Sequence, residues 1–376
     1  MKIAIVRERA DGETRVAATP ETVTKLIGLG ASVAIEAGAG ANARFPDAEY
    51  AKAGATVGSN ADTVKDADIV LTVRRPTVDM LMGAKAGALV IGSMDPYGNE
   101  GDIQSLARAG YTAVAMEFMP RITRAQVMDI LSSQANLAGY QAVLDAAVAF
   151  DRAMPMMMTA AGTVRPAKVF VMGAGVAGLQ AIATAKRLGA VVSATDVRAA
   201  AGEQVESLGA KFIMTDALKD ASGSGGYARE LTDSEKAAQA ELTAAHIAKQ
   251  DIVITTALIP GRPAPKLVSA AMVESMQPGS VIVDLAAERG GNVDVPRPTE
   301  VFTTGNGVTI IGYKNVPARL ATSASQLFSR NLVSFLETMF DKKTKAFAVN
   351  WDDELVKATV LTKDGAIVHP NIKVAA

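Results

Sequence analysis

Short apolar runs separated by polar, helix-like segments are the dominant pattern of the amino-terminal part of the chain. The runs are residues 3–6, 33–36, 69–73, 89–91 and 112–115. Apolar runs of this length, bounded by Gly, Pro or charge, are typical of parallel strands buried on both faces. Between the first two runs, residues 19–29 open with Thr-Pro-Glu, which predicts a helix with Thr19 as N-cap and Pro20 at its first position.

A second alternating series begins near residue 168, after a long Ala-rich helical segment at residues 135–153. Its apolar runs are residues 169–172, 191–195, 211–213, 252–255, 281–284 and 309–312. Alternation of strand and helix predicts an α/β protein with two Rossmann-like, doubly wound domains and a cleft between them. The expected domains are residues 1–134 plus 317–376, and residues 135–316. In the last segment, a helix at 321–340 and a hairpin around Asp364-Gly365 are expected to pack back onto the first domain, because the second sheet is already complete.

The strand at residues 169–172 runs directly into Gly173-Ala174-Gly175-Val176-Ala177-Gly178, which has the spacing G-x-G-x-x-G. In that motif the first glycine allows a tight turn, the second lets the backbone approach a pyrophosphate, and the third lets helix and strand pack closely. The helix amino end then offers N–H groups to the phosphates. A bare glycine motif is weak evidence, and its position between a strand and a helix strengthens it.

The next strand ends in Asp196, where a carboxylate accepts hydrogen bonds from the adenosine ribose hydroxyls. The same charge repels a 2′-phosphate, so the motif predicts one bound NAD(H) rather than NADP(H). Arg198 weakens this inference, because an arginine at that place accommodates a phosphate.

Composition excludes several other functions. The 376 residues carry a formal net charge of -1 and no long run of like charges, so neither nucleic acid nor a lipid surface is an expected partner. The absence of cysteine excludes disulfides and thiolate metal ligands and fits the cytoplasm. No metal site is predicted. No apolar run approaches the ~18 residues that a membrane span needs, so direct membrane insertion is not expected.

Two loops carry further candidate chemistry. Residues 120–134 place two arginines, two glutamines, an aspartate and two serines after a strand, which composition alone explains as a capped loop with a structural ion pair. Residues 216–233 contain Gly223, Gly225, Gly226 and Tyr227, and are either a surface loop or a lid whose glycines are hinges and whose tyrosine closes over a ligand.

Several long motifs resemble the NAD(P) transhydrogenase α chains. They lie at residues 120–139, 156–163, 180–190, 255–261 and 364–370, and the resemblance covers nearly the whole chain. It implies that Arg121, Gln126, Asp129 and Ser132 orient the nicotinamide and its ribose, that Gln126 also reaches the partner's nucleotide, and that the loop with Tyr227 closes over NAD(H).

The resemblance also implies partners and a location. The chain is expected to form a homodimer and to assemble with transhydrogenase subunits that span the membrane and bind NADP(H). Through these partners it would lie on the inner face of the cytoplasmic membrane. Hydride donated from NADH to NADP+ would be coupled to proton translocation in the membrane subunits. Because the sequence stops at Ala376 without a membrane helix, the split arrangement of the family is expected. The full predicted cofactor-binding set is Gly173, Gly175, Val176, Gly178, Asp196, Val197, Arg198, Gly226, Tyr227, Ala257 and Leu258.

The related alanine dehydrogenases are the alternative family, because they share the pattern found at residues 15–20 of this chain. Oxidation of an amino acid needs a positioned acid or base. Neither His246 nor His369 lies near residues 92–95, where that family has its catalytic histidine, and Arg74 replaces its lysine. Glu288 aligns with its aspartate. A non-catalytic NAD sensor is a third hypothesis. We expect both histidines to be structural and Met154 and Met156 to Met158 to fill a core or a pliable domain interface.

Overall fold

The computed structural model describes residues 1–215, 232–341 and 343–372. This part of the chain divides into two compact units, which we call unit 1 (Met1–Gln134 and Ala318–Ala376) and unit 2 (Ala135–Pro317).

The amino-terminal segment of unit 1 forms a parallel α/β sheet. In chain order its elements are β1 (Lys2–Ile5), α1 (Pro20–Gly28), β2 (Ser32–Glu36), α2 (Asp47–Lys52), β3 (Thr56–Gly58), α3 (Asn60–Val64), β4 (Ile69–Arg74), β5 (Leu89–Ser93), α4 (Glu100–Arg108), β6 (Thr112–Ala115) and α5 (Ile130–Ala149), the last of which ends in unit 2. The strand order is β3-β2-β1-β4-β5-β6, with the reversal of order between β1 and β4. This is the strand order of a doubly wound Rossmann sheet.

Unit 2 repeats this topology. Its elements are β7 (Met157–Thr159), β8 (Gly162–Val164), β9 (Lys168–Met172), α6 (Val176–Arg187), β10 (Val191–Thr195), α7 (Ala201–Ser207), β11 (Lys211–Phe212), α8 (Asp233–Ile247), β12 (Ile252–Thr255), α9 (Ala270–Ser275), β13 (Val281–Asp284), β14 (Val301–Thr303) and β15 (Thr309–Ile311). The sheet order is β11-β10-β9-β12-β13-β15-β14, with β14 antiparallel at the edge. The order reverses between β9 and β12, which is where open α/β sheets bind ligands.

The chain then returns to unit 1 through α10 (Ala321–Glu337), α11 (Glu354–Thr359), β16 (Thr362–Lys363) and β17 (Ala366–Ile367). Phe328, Leu332 and Phe335 of α10 are buried in the same cluster as Ile3 and Ile5 of β1. The predicted tail hairpin is confirmed, with positive φ at both turn residues, Asp364 and Gly365, as a tight two-residue hairpin requires.

The helix signals read from the sequence are partly confirmed. Thr19 caps α1 in a capping box with Thr22, and Pro20 is its first residue. In contrast, α5 begins at Ile130 rather than at 135, because the carboxylate of Asp129 accepts hydrogen bonds from the N–H and the hydroxyl of Ser132 and so caps an earlier first turn.

Of the four methionines expected to fill a core or a pliable domain interface, only Met154 fills a core. Met154 is buried, but Met156, Met157 and Met158 are exposed on the hairpin formed by β7 and β8. They therefore do not fill the core of unit 2. Sequence composition does not distinguish the two places, because methionine is common both in cores and on adaptable binding surfaces.

Candidate nucleotide-binding site

The glycine-rich turn of unit 2 has the geometry that a pyrophosphate needs. Gly173 has φ of +107°, and a Cβ there would lie 2.4 Å from Oγ1 of Thr256. At Gly178 a Cβ would lie 1.7 Å from the carbonyl oxygen of Gly173. A Cβ at Gly175 would meet no atom of the described residues within 4 Å. The turn is thus closed from inside at the first and third glycines and open at the second, where a ligand can approach the backbone.

Helix α6 begins directly at this turn. Its N-cap is Gly175, and within the described chain no side chain caps its amino end. Its Val176 is 42% exposed, so the first turn faces outward. An uncapped helix amino end with open space in front of it offers N–H groups and a partial positive charge to an anion, so the turn fits a dinucleotide diphosphate.

Asp196 lies immediately after β10, beside the same turn. Its Oδ2 accepts hydrogen bonds from the backbone N–H of Ala174 at 2.7 Å and from Nη2 of Arg198 at 3.0 Å. Its Oδ1 accepts from the backbone N–H of Arg198 at 2.8 Å and from Nε of Arg198 at 2.9 Å. The carboxylate is therefore tied to the glycine turn and, at the same time, covered by a guanidinium.

The turn after β12, which carries the predicted contacts Ala257 and Leu258, lies next to the glycine-rich turn. Asn292 is fully buried, and its amide accepts from the N–H of Ala257 at 3.0 Å and donates to the carbonyl of Ala257 at 2.9 Å. The neighbouring Leu258 is 52% exposed, and Val197, which follows Asp196, is 42% exposed. A backbone fixed at Ala257 with apolar side chains presented to solvent is suited to covering the flat faces of a bound nucleotide.

The four predicted catalytic residues lie together in unit 1. A 3-10 helix spans Thr123–Met128 and carries Gln126, and Arg121 lies two residues before it; both side chains are exposed. Asp129 and Ser132 form the cap of α5 described above. The arrangement holds Asp129 in one orientation and leaves the side chain of Gln126 outside the core.

The surroundings of Arg74 argue against amino-acid oxidation in unit 1. Nε of Arg74 donates to Glu13 at 3.0 Å, and Arg15 donates three times to the same carboxylate, from its backbone N–H, Nε and Nη2. Burial acts to raise the pKa of Glu13, but the hydrogen bonds and charge of Arg15, with the charge of Arg74, outweigh burial and lower it to about 2. Arg74 thus belongs to a buried ionic cluster and is not a proton donor.

The two histidines are structural, as the sequence predicts. His246 lies against Phe170 and makes a 2.8 Å hydrogen bond with Ser193 in unit 2, while His369 stacks on Phe118 in unit 1. Burial lowers the pKa of each, and for His246 the nearby lysines lower it further. Neutral imidazoles in these packed positions stabilise the fold.

Of the remaining predicted residues, one lies in the described part of the chain and two do not. Glu288 is exposed in unit 2 and accepts a hydrogen bond from the N–H of Asn315 at 3.0 Å. Gly226 and Tyr227 lie outside the described residues.

Among the residues that the structure describes, no cluster of His, Asp or Glu could hold a metal ion. Over the same ranges, none of the helices combines the length and apolarity that a membrane crossing requires.

Both units match domains of known proteins. The alanine dehydrogenase/PNT N-terminal domain matches residues 4–138, and the alanine dehydrogenase/PNT C-terminal domain matches residues 142–370. An NAD(P) transhydrogenase subunit alpha chain from Rhodospirillum rubrum is 53% identical over 378 residues, which cover 98% of each chain. The solved structure of transhydrogenase from Sinorhizobium meliloti has a TM-score of 0.89 at 60% identity, covering 98% of this chain and 100% of that one.

The chain therefore belongs to the alanine dehydrogenase/PNT family. Within that family its close relatives are the transhydrogenase alpha subunits, which confirms the resemblance read from the sequence. Alanine dehydrogenase of Halomonas elongata is more distant, at 29% identity over 385 residues, 98% of this chain and 95% of that one. The two-domain Rossmann-like fold predicted from the alternating pattern is confirmed as well.

Sequence reasoning missed Asn292, which positions the Ala257 turn. It follows Gly290-Gly291, and nothing in that local pattern marks the asparagine as a contact of a residue 35 positions earlier. A glycine pair is a turn signal only.

Proposed function

We propose that this chain is the NAD(H)-binding subunit of an NAD(P) transhydrogenase, and that it donates hydride from NADH to NADP+ held by a partner subunit. The observation that carries the proposal is the glycine-rich turn of unit 2, which is open at Gly175, heads helix α6 and lies beside the Asp196 carboxylate. The names of the close relatives, transhydrogenase alpha subunits, support the choice of reaction.

The residues of this chain supply binding and orientation. The N–H groups at the amino end of α6 bind the diphosphate, and Asp196 accepts hydrogen bonds from the hydroxyls of the adenosine ribose. We propose that Arg121, Gln126, Asp129 and Ser132 orient the nicotinamide and its ribose, with exposed Gln126 also directed to the partner's nucleotide. NADH, when bound, supplies the hydride. Transfer between two nicotinamides moves no proton to or from a substrate, so catalysis is mainly a matter of positioning.

The other subunits of the assembly are proposed from the relatives' names. The membrane-spanning and NADP(H)-binding subunits would be separate chains, and passage of protons would occur in the membrane subunits. The chain would then lie at the inner face of the cytoplasmic membrane through its partners. An alanine-type dehydrogenase remains the second candidate, since that activity occurs in the family, but Arg74 in its ionic cluster and the packed histidines offer no positioned acid or base.

We further propose that the chain forms a homodimer through the hairpin β7–β8. Every residue from 155 to 165 is exposed, including the apolar side chains of Met156 and Met158. Two-stranded hairpins are marginally stable in water unless another surface covers them. A second copy of the chain is the occupant that satisfies this need, because each copy brings the same uncovered hairpin.

Sedimentation equilibrium tests the dimer. We expect the wild-type chain to sediment as a dimer and Met158→Asp to shift it toward monomer, since a buried unpaired charge opposes association. Val148→Asp is the matched control, because Val148 is 89% exposed and apolar but belongs to α5 and not to the hairpin. A monomeric wild type, or a Met158→Asp variant as dimeric as the control, would overturn the proposal.

The function itself is tested by mixing the chain with transhydrogenase membrane and NADP(H)-binding subunits. We expect no transfer from NADH to a spectroscopically distinct NADP+ analogue by the chain alone, and transfer when the partners are added, because the second nicotinamide site is on another chain. Transfer by the isolated chain would contradict the proposal. NADH formation from L-alanine and NAD+ without partners would establish the alternative.

A further inference from the structure

Within the 121–132 segment of unit 1, the stretch that carries Gln126 has little internal support for its shape. Its 3-10 helix, Thr123–Met128, is closed by i→i+3 hydrogen bonds, which have poorer geometry than those of an α-helix. The N–H of Asp129 lies as far as 3.4 Å from the carbonyl of Gln126. Val127 is 62% exposed, while Ala125 and Met128 are buried. The position of Gln126 must therefore be set by contacts from outside the segment.

A buried amide on α10 supplies such a contact. Asn331 is 7% exposed, and its Nδ2 donates to the carbonyl oxygen of Val127 at 2.8 Å. Its Oδ1 accepts from the hydroxyl of Ser133 at 2.8 Å. One side chain thus bridges the residue after Gln126 and the residue after Ser132, so it connects the middle of the proposed nicotinamide-orienting segment to the residue that follows its end.

Asparagine is suited to this bridge because its amide is both a donor and an acceptor. The apolar contacts of Ala125 and Met128, in the buried cluster that includes Phe328 and Leu332 of α10, bring the segment against the helix but do not fix its rotation. A second tie joins Arg124 to the carboxylates of Asp353, which it meets with both terminal nitrogens, and Glu354. It holds the side chain of residue 124 at the surface and does not contact the backbone carbonyl of Val127.

We infer that Asn331 is a positioning residue for hydride transfer: it fixes the Val127 carbonyl and thereby the side chain of Gln126. The inference rests on the proposed function and adds to it a residue of unit 1 that lies 204 positions from Val127 in sequence. Its loss should slow transfer without weakening NADH binding, because the diphosphate and adenosine ribose sites belong to unit 2.

Asn331→Asp is the decisive variant. It has the same shape and keeps an acceptor for Ser133, but an ionised carboxylate cannot donate to the Val127 carbonyl. With saturating nucleotides and all partner subunits present, we expect at least a tenfold lower rate at pH 8, an NADH dissociation constant within twofold of wild type, and recovery of the rate toward wild type at pH 6. The rate should recover because burial raises the pKa of the introduced carboxyl group. At the lower pH more of this group is protonated, and the protonated form can again donate a hydrogen bond to the Val127 carbonyl.

Two further variants frame this result. Ser329→Ala is the matched control, because Ser329 is buried on the same helix and its hydroxyl donates within that helix, to the carbonyl of Gln326. It should change neither rate nor binding. Gln126→Asn is the reference, and it should lose hydride transfer with NADH binding retained.

The outcomes separate the two proposals. If Gln126→Asn transfers hydride as fast as wild type, the proposed function of the segment fails and this inference with it. If Gln126→Asn is slow but Asn331→Asp transfers as fast as Ser329→Ala, only the inference on Asn331 fails. Parallel loss of rate and NADH binding in Asn331→Asp, or a rate that does not respond to pH, would likewise overturn it. Should Asn331→Asp fold poorly, Ser133→Ala removes half of the bridge and is expected to give a smaller loss of rate with the same unchanged NADH affinity.

Discussion

Gly175→Ala is expected to bind NADH about 100-fold more weakly than wild type while unfolding at the same temperature. The position has space for a Cβ among the described residues and an ordinary negative φ, so a methyl group causes no strain in the chain itself. The same methyl group occupies the place where the pyrophosphate must meet the backbone. Binding is followed through the emission of the reduced nicotinamide, and folding through thermal unfolding.

Two other glycines show whether the effect is specific. Gly305→Ala is the matched control in unit 2, because a Cβ there also meets nothing within 4 Å in the described chain, and it should alter neither measurement. Gly178→Ala should instead lower the unfolding temperature, since its Cβ would lie 1.7 Å from the carbonyl oxygen of Gly173. If Gly175→Ala bound NADH as tightly as wild type, the glycine-rich turn would not be part of the nucleotide-binding site.

Asp196→Asn is expected to weaken NADH binding about 30-fold and to reduce the preference for NADH over NADPH about tenfold, as the loss of charge-assisted hydrogen bonds predicts. A carboxylate has about four acceptor positions, and the backbone N–H groups of Ala174 and Arg198 with the guanidinium of Arg198 supply four donors. The ribose hydroxyls must therefore displace the Arg198 side chain, and only an ionised Asp196 accepts them well. Titration with both nucleotides measures the two changes.

Arg198→Met tests the other half of this pair. The guanidinium competes with the ribose for Asp196 and is also suited to pairing with a 2′-phosphate. Removing it should increase the preference for NADH over NADPH, opposite to the effect of Asp196→Asn. If neither substitution changes the ratio of the two dissociation constants, the pair does not determine nucleotide choice.

Much of the fold was predictable because its signals are local. The strands at residues 191–195, 252–255 and 281–284 have the bounds that their apolar runs indicate. Full burial on both faces leaves a continuous apolar run that sequence alone reveals. The glycine turn and Asp196 were predictable for a related reason, since strand, turn, helix and the end of the next strand are close in sequence.

The elements that the sequence did not reveal are short, exposed or capped by an unrecognised side chain. Strand β3 has three residues and mixed polarity, and β14 is an exposed edge strand. The hairpin β7–β8 is exposed throughout, so it lacks the alternation of buried and exposed positions that identifies a strand. The early start of α5 depends on the cap by Asp129, which composition suggests only as a member of an ion pair.

The supporting residues of the site could not be predicted, because they act across the fold. Asn331 meets Val127 from a helix 204 positions later, and Asn292 meets Ala257 from a turn after another strand. A single asparagine in an amphipathic helix carries no mark of the backbone carbonyl that it will contact. Only the packing of α10 against the 121–132 segment shows it.

Crystals of the chain soaked in NADH test the central claim most directly. We predict the diphosphate against the turn from Gly173 to Gly178, the adenosine ribose on Asp196, and the guanidinium of Arg198 moved off that carboxylate. An empty turn, or better occupancy of this site by NADPH with its 2′-phosphate on Arg198, would contradict the account.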